Sequence, residues 1–444
     1  MGRPWISSFV FSPCQSEQAP FGHLAYQKRS YLFVLYLVLL AVSCSKDDEQ
    51  ISQSPATILP SEMAYKTGLP VVIINTPDSR PIESKEEWIP NVQVCIVVSE
   101  GNETFEGSAF VKGRGNVTWN RYPKKPYSLK LTKKAEILGM AAAKRWVLLS
   151  NWADRTLLRN DVAFEIARRT SLAWTPRGKP VELILNGEYR GAYYLCEKIQ
   201  IHENRLDIEE MDDDDNDSEN ITGGYLMEID KYFDEANKFR SATYHLPYQF
   251  RNPGEDVLTD AQFNYMQQYV NDFEASLSSD PALQRGDYVQ WIDPQSFIDW
   301  WIVNELCYNK EVSRPKSVYL HKQRGGRLTM GPVWDFDFST FTPHDDIYAA
   351  ERFPYLQRLF QNTDFRQAAE QRWQDVRPKM MSIPDYIDQQ AQVIRASALQ
   401  NSLMWPISLK LNGDEKMSFD EAIERMKQSF KLRMSVIDQF FSGQ

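Results

Sequence analysis

The hydrophobic period changes once along this 444-residue chain, near residue 256, and that change restricts the fold more than any other feature. Before it, apolar residues come in short β-branched runs. Leu69 to Asn75 stops at Thr76-Pro77-Asp78, and Val92 to Val98 alternates and stops at Gly101-Asn102. Phe105 to Lys112 and Tyr127 to Leu131 read as two further strands, and Trp146 to Ser150 as a buried one. A helix is expected from about Thr156, with Arg168-Arg169 in its last turn. Val181 to Leu185, Asn186-Gly187 and Tyr189 to Ile199 carry the strongest hairpin signal, because Asn-Gly accepts the positive φ of a tight turn. Gly223 to Asp230 resumes a strand. After residue 256 the period is helical over 261–277, 294–308, 353–377 and 383–402, interrupted by one hairpin over 317–333. An α+β fold in two lobes follows, with a β-rich part over 68–255 and a mostly helical part over 256–440.

The first 67 residues do not belong to that pattern. Lys28-Arg29 precede the apolar run Tyr31 to Val42, then Ser43-Cys44. A basic segment, a short apolar run and small residues at a cleavage point describe a secretory signal, assigned to 1–43. The run falls short of the roughly 20 residues needed to span a bilayer. Residues 1–27 are a long preamble, consistent with a start placed too early. Ala41-Val42-Ser43-Cys44 resembles a bacterial lipobox, which implies lipidation of Cys44. Ser45 to Glu49 resembles the acidic export tag of surface lipoproteins in Bacteroides-like bacteria. The polar stretch to residue 67 reads as a tether. The expected address is the outer membrane or cell surface, with a lipid anchor in the membrane.

Composition and motif searches exclude several classes. A net charge of −10 argues against nucleic acid as a partner. No H-E-x-x-H, G-x-S-x-G or G-x-x-x-x-G-K-[ST] occurs, so zinc protease, α/β-hydrolase and P-loop readings fall away. Cys95, Cys196 and Cys307 lie far apart within apolar stretches and read as core residues. The acidic run Asp212 to Glu219 lacks the glycine and terminal Glu of a calcium loop, and reads as a solvated insertion.

The remaining motifs come in a definite order. Lys112-Gly113-Arg114-Gly115-Asn116-Val117-Thr118-Trp119 is followed by Pro123 to Leu131, then by Asn151-Trp152-Ala153-Asp154-Arg155-Thr156-Leu157-Leu158-Arg159-Asn160. Asn186 to Gly191, Asn304-Glu305 and Gly331-Pro332-Val333-Trp334-Asp335-Phe336-Asp337-Phe338 complete the set. Together they resemble the spore coat protein H (CotH) family of atypical kinases over roughly residues 68–440. That resemblance implies a remote kinase-like fold that uses ATP and a divalent metal, Mg²⁺ or Mn²⁺, to phosphorylate a protein Ser or Thr hydroxyl.

Phosphoryl transfer needs cations on the phosphates, carboxylates on the metal and a base on the acceptor. Lys125 or Lys130 is the candidate phosphate-directed ammonium, the alternative being that Lys124, Lys125 and Lys130 solvate an edge strand. Asp335 and Asp337 flank Phe336 and face the same way if the segment is extended, offering two oxygens to a hard cation. Carboxylates among Trp334, Phe336 and Phe338 are costly to bury unless paired or metal-bound. Arg114 and Arg159 either bind phosphate or pin acidic side chains within the domain. Glu197 falls where the family has an acidic residue near the nucleotide, and a structural salt bridge fits it equally. The departure lies in Asn309 to Ser317. Where relatives carry a candidate catalytic Asp and often a metal-binding Asn, this chain has Glu311 and Ser317. An inactive lipoprotein that keeps the fold as a binding or scaffold protein is therefore the second reading, and a glycan-binding role for the aromatic residues the third.

Overall fold

A computed structural model describes residues 66–98 and 103–443. The expected signal segment, Cys44 and most of the tether lie outside them. Alternation in the first part closes into a barrel. Strands β1 (Val71–Asn75), β2 (Ile89–Val97), β3 (Glu103–Gly113), β4 (Tyr127–Ile137), β5 (Met140–Leu149), β6 (Gly178–Leu185) and β7 (Glu188–Glu197) run in the spatial order β1-β2-β3-β4-β5-β7-β6. A parallel β1–β6 pairing, Val72 opposite Leu183, closes the ring, and the other pairings are antiparallel. Val72 and Ile74, Leu129 and Leu131, Trp146 and Leu148, and Leu183 and Leu185 fill its interior at every second position. Closure leaves no free sheet edge.

The β6–β7 turn is the one Asn-Gly promised, with φ of 52° at Asn186 and 78° at Gly187. A second such turn was not evident in the sequence. β4 and β5 form one long hairpin that reverses at Leu138 and Gly139, with φ of 49° and 75°. Leucine is a poor marker of a left-handed position, so the two strands read as shorter, separate segments.

After a one-turn helix α1 (Val117–Asn120) between β3 and β4, α2 (Arg159–Arg168) links β5 to β6. A second sheet follows, ordered β12-β11-β8-β10-β9. It draws β8 (Tyr225–Ile229), β9 (Lys238–Arg240) and β10 (Pro247–Asn252) from before residue 255, and β11 (Val318–Lys322) and β12 (Leu328–Met330) from after it. The change of hydrophobic period is therefore not a boundary in the folded chain, because β8 pairs directly with β11.

The helical part comprises α3 (Asp260–Ser278), α4 (Asp280–Arg285), α5 (Pro294–Leu306), α6 (Ala349–Arg352), α7 (Pro354–Leu359), α8 (Thr363–Met380), α9 (Ile383–Met404) and α10 (Phe419–Ser442). The expected single helix over 353–377 is two. Asn362 interrupts it and caps the second by accepting from Phe365 N at 2.9 Å. Helix α10, absent from the sequence reading, starts at a reciprocal capping box of Ser418 and Glu421. None of the helices among the described residues is long and apolar enough to cross a membrane.

One buried ion pair fastens α5 to α10. Glu305 and Arg433, both fully buried, meet at 2.5 Å. Glu305 also accepts from Trp301 Nε1 and from the backbone N–H of Tyr348 and Ala349, and Arg433 donates to the carbonyls of His344 and Asp346. Removing one partner strands a desolvated charge. Arg433→Met is expected to cost about 3–5 kcal/mol in urea unfolding, and Glu305→Met with Arg433→Met distinctly less. A single variant as stable as the parent would sink this assignment.

Candidate functional site

At one end of the barrel a cleft of about 710 Å³ collects residues from six separate segments, Leu409 and Leu411 of the loop before α10 among them. The turn after β3 brings Arg114 to Asn120, and the ends of β5 and α2 bring Asn151 and Asn160. The turn after β8 brings Asp230 to Tyr232, the segment before β11 brings Glu311 and Lys316, and the loop after β12 brings Trp334, Asp335, Asp337 and Phe338.

That last loop is aimed by alternating apolar anchors. Phe336 is buried edge-on against Phe164 of α2, and Trp334 stacks on the same ring at 5.8 Å. Asn160 accepts from Phe336 N at 2.8 Å, and Asn412 donates to the Asp337 carbonyl at 3.0 Å. Asp335 and Asp337 both line the cleft, and strand alternation is not what brings them there. Asp335 has φ of 68°, a left-handed conformation that for a non-glycine residue costs on the order of 1–3 kcal/mol. The two side chains come within hydrogen-bonding reach of each other.

Glu311 joins them. It sits in a turn started by Asn309, whose side chain accepts from Glu311 N at 3.0 Å, and it is only 7% exposed. Its carboxylate forms an ion pair with Lys316. Burial, then the negative charge of Asp335, push Glu311 up to about 7 against the pull of Lys316. Burial, then Asp335, raise Asp337 well above the usual carboxylate range. Burial works against the Lys316 ammonium, yet Asp335 and Glu311 together hold it charged well above the ordinary lysine value. Lys316 pairs with one of three carboxylates, Lys231 of the cleft adds a smaller pull on Glu311, and the remaining negative charge is met by protons.

Among the described residues no three His, Cys, Asp or Glu side chains are disposed to hold a metal ion. The pair Asp335 and Asp337 nevertheless fits Mg²⁺, which habitually takes one or two carboxylates and completes its shell with water and phosphate oxygens. A carboxylate pair that retains a proton when no cation is present is the donor chemistry such an ion displaces.

Of the cations named from sequence, only Arg114 reaches the cleft. Its guanidinium lies 5.3 Å over the Trp334 ring, and its buried Nη1 has no hydrogen-bond partner among the described residues. Lys125 does not line the cleft, because it folds back over Trp119 and donates to the Trp119 carbonyl at 2.5 Å. Lys130 does not either, since its position on β4 turns it to the outer face of the barrel, over Phe110. Lys124 is fully buried and donates to Asn401 and the Ala192 carbonyl. Arg159 is a structural pin, paired with Asp154 at 2.6 Å and Asp414 at 2.5 Å. Glu197 is buried, accepts from Arg177 N at 2.9 Å and does not line the cleft. Ser317, standing where a metal-binding Asn was sought, serves through its backbone N–H, which donates to Asp230.

Lys316 was missed although it lies five residues after Glu311. A lysine directly following a proline carries no signal of direction, and only the fold of 310–317 turns it inward. Because Glu311 and Asp337 bind protons more tightly folded than unfolded, their contribution to stability is complete below about pH 4 and is lost as pH rises, through about 7 for Glu311. In EDTA the Tm should therefore fall by several degrees between pH 5 and 8, and Glu311→Gln should flatten the fall. Scanning calorimetry showing the same slope in both proteins would count against the shared-proton cluster.

The model of the CotH kinase protein family matches residues 111–437, well over half of the chain and all of the segments that build the cleft. No curated protein matches it. The order of motifs along the chain, the cleft they assemble and the span of that match agree, and the chain belongs to the CotH kinase protein family.

Proposed function

We propose that the chain is an atypical protein kinase that transfers the γ-phosphoryl group of ATP to a protein Ser or Thr hydroxyl. In this reading the barrel and the helical part serve as its two lobes. The observation that carries it is the meeting of Arg114, Glu311, Asp335 and Asp337 in one cleft, although they stand up to 223 positions apart in sequence. The lipid at Cys44 would hold the enzyme at the outer membrane or cell surface.

Glu311 is the base. Its carboxylate takes the proton of the acceptor hydroxyl, whose oxygen forms a bond to the γ-phosphorus while the bond to the β-phosphate oxygen breaks and ADP leaves. Lys316 keeps that carboxylate in place by its ion pair. Arg114, with an unpartnered buried nitrogen and a guanidinium held flat by Trp334, neutralises phosphate oxygens in place of Lys125 and Lys130. Mg²⁺ or Mn²⁺ held by Asp335 and Asp337 would spread the remaining phosphate charge. Glu in place of Asp moves the base by about one methylene, and the placement of the 310–317 turn has to absorb it, since an error on the order of 1 Å costs about 10²-fold.

Purified protein incubated with labelled ATP, Mg²⁺ and casein as a generic acceptor is the direct test. Asp335→Ala is expected to lower incorporation by about 10²-fold or more, and Glu311→Gln by about 10²–10⁴-fold. Equal incorporation by wild type and Asp335→Ala refutes the metal role. Calorimetry that finds no Mg²⁺-dependent nucleotide binding leaves a lipid-tethered binding protein instead.

A further inference from the structure

A row of cations on the outer wall of the barrel plays no part in that mechanism. Across β3, β4 and β5, Phe110 stands opposite Lys130 and Lys130 opposite Arg145. Their neighbours Val111, Leu129 and Trp146 all face the barrel interior, so Lys130 and Arg145 face outward side by side. Glu197 pairs with Trp146 and ends β7, so Lys198 follows just past the strand, where Arg145 and Lys112 both act on it, and Lys112 stands two residues beyond Phe110 on the same face of β3. None of the four forms an ion pair with another of the described residues. Burial, followed by Arg145, Arg251, Arg114 and Lys112, pushes the Lys198 ammonium down to about 7. Burial likewise lowers Lys112, where Glu86 offsets in part what Arg145 and Lys85 add. Four cations that repel one another are gathered on a chain whose net charge is −10.

The row leads to the cleft. Lys112 and Arg114 lie two residues apart, roughly 7 Å along an extended strand, and Arg114 lines the cleft. From β3 to β7 the row crosses three strand spacings, roughly 14 Å in all. A single phosphate or headgroup covers one or two such cations. An extended polypeptide, whose alternate side chains recur about every 7 Å, covers the row when those side chains are acidic.

We propose that Lys112, Lys130, Arg145 and Lys198 form a docking site for an acidic segment of the polypeptide acceptor, lying a few residues from the hydroxyl that enters the cleft past Arg114. The occupant's identity rests on the transferase reading, and the charge pattern does not. Anions seated there relieve the repulsion among the four cations, so affinity is gained both from attraction and from removal of that strain.

The test is binding of a fluorescein-labelled peptide to the full chain without nucleotide. The peptide carries one Ser followed by Glu at alternate positions, and its counterpart has Gln at those positions. The Glu peptide should bind about tenfold tighter or better, and the preference should shrink as salt rises. Lys130→Glu with Arg145→Glu should lose at least about tenfold in affinity, with an unchanged Tm and unchanged Mg²⁺-ATP binding. Lys130→Gln with Arg145→Gln should fall between. Equal binding of the two peptides, or a charge-reversed protein that binds like wild type, overturns the proposal. So does a reversal that abolishes binding to phosphatidylglycerol vesicles while leaving peptide binding intact, since the row is then a membrane contact. Glu311→Gln, which should lose transfer yet keep peptide binding, separates failure of this proposal from failure of the kinase reading.

Discussion

Arg159 cannot leave its place without undoing three parts of the molecule at once. It is 2% exposed and pairs with Asp154 in the turn after β5 and with Asp414 in the loop before α10, while its Nε reaches the Thr340 carbonyl. A guanidinium presents its donors in a rigid fork, so the three chain segments are fixed in angle as well as in distance. The following residue, Asn160, uses that fixed frame to receive Phe336 N and hence to aim the loop carrying Asp335 and Asp337. Asn412 adds a second tie, donating to the Ala153 and Asp337 carbonyls and accepting from Ser339 N. The cleft is therefore positioned by a buried polar network rather than by the strands themselves. Such networks are effective only when nearly every member is satisfied.

Charge is sorted sharply around that frame. The cleft holds Glu311, Asp335 and Asp337 with Lys316 ion-paired to one of them, and the barrel wall next to Arg114 holds cations without ion pairs among the described residues. Neither arrangement is favourable for the isolated fold, because each leaves like charges close together. Both become favourable when ligands of opposite sign arrive. That is the expected signature of sites tuned for binding, and it is absent from the Glu305–Arg433 pair, where one carboxylate meets one guanidinium.

Much of this was legible in the sequence, and the reasons for the rest are physical. Period-two runs identified the barrel strands because their inner faces are buried against one another, and Asn186-Gly187 marked its hairpin by backbone chemistry alone. The β4–β5 hairpin was not seen whole, since Leu138 takes a left-handed conformation that the fold imposes and leucine does not prefer. Helix α10 carried a capping box at Ser418 and Glu421 that could have found it. Pairing of β8 with β11 was beyond reach, because strands joined across so long an interval leave no local trace. At the site, Asp335 and Asp337 were legible as charges stranded among aromatic residues, the kind of local conflict that marks function.

The lysines show where such reading stops. Lys125 and Lys130 sit in a motif rich in cations on a strand, which suggested an ammonium directed at phosphate. Direction in a barrel strand is set by parity against the interior. With Leu129 facing inward, Lys130 must face out, whatever its chemistry suits it for. Lys125 precedes the strand and its reach is taken up by the Trp119 carbonyl. Arg114 and Lys316 face the cleft because they stand where regular structure has ended, in turns whose backbone is free to re-aim a side chain. The same parity that removes Lys130 from the cleft places it beside Arg145, so one geometric rule excludes a catalytic lysine and creates a basic wall.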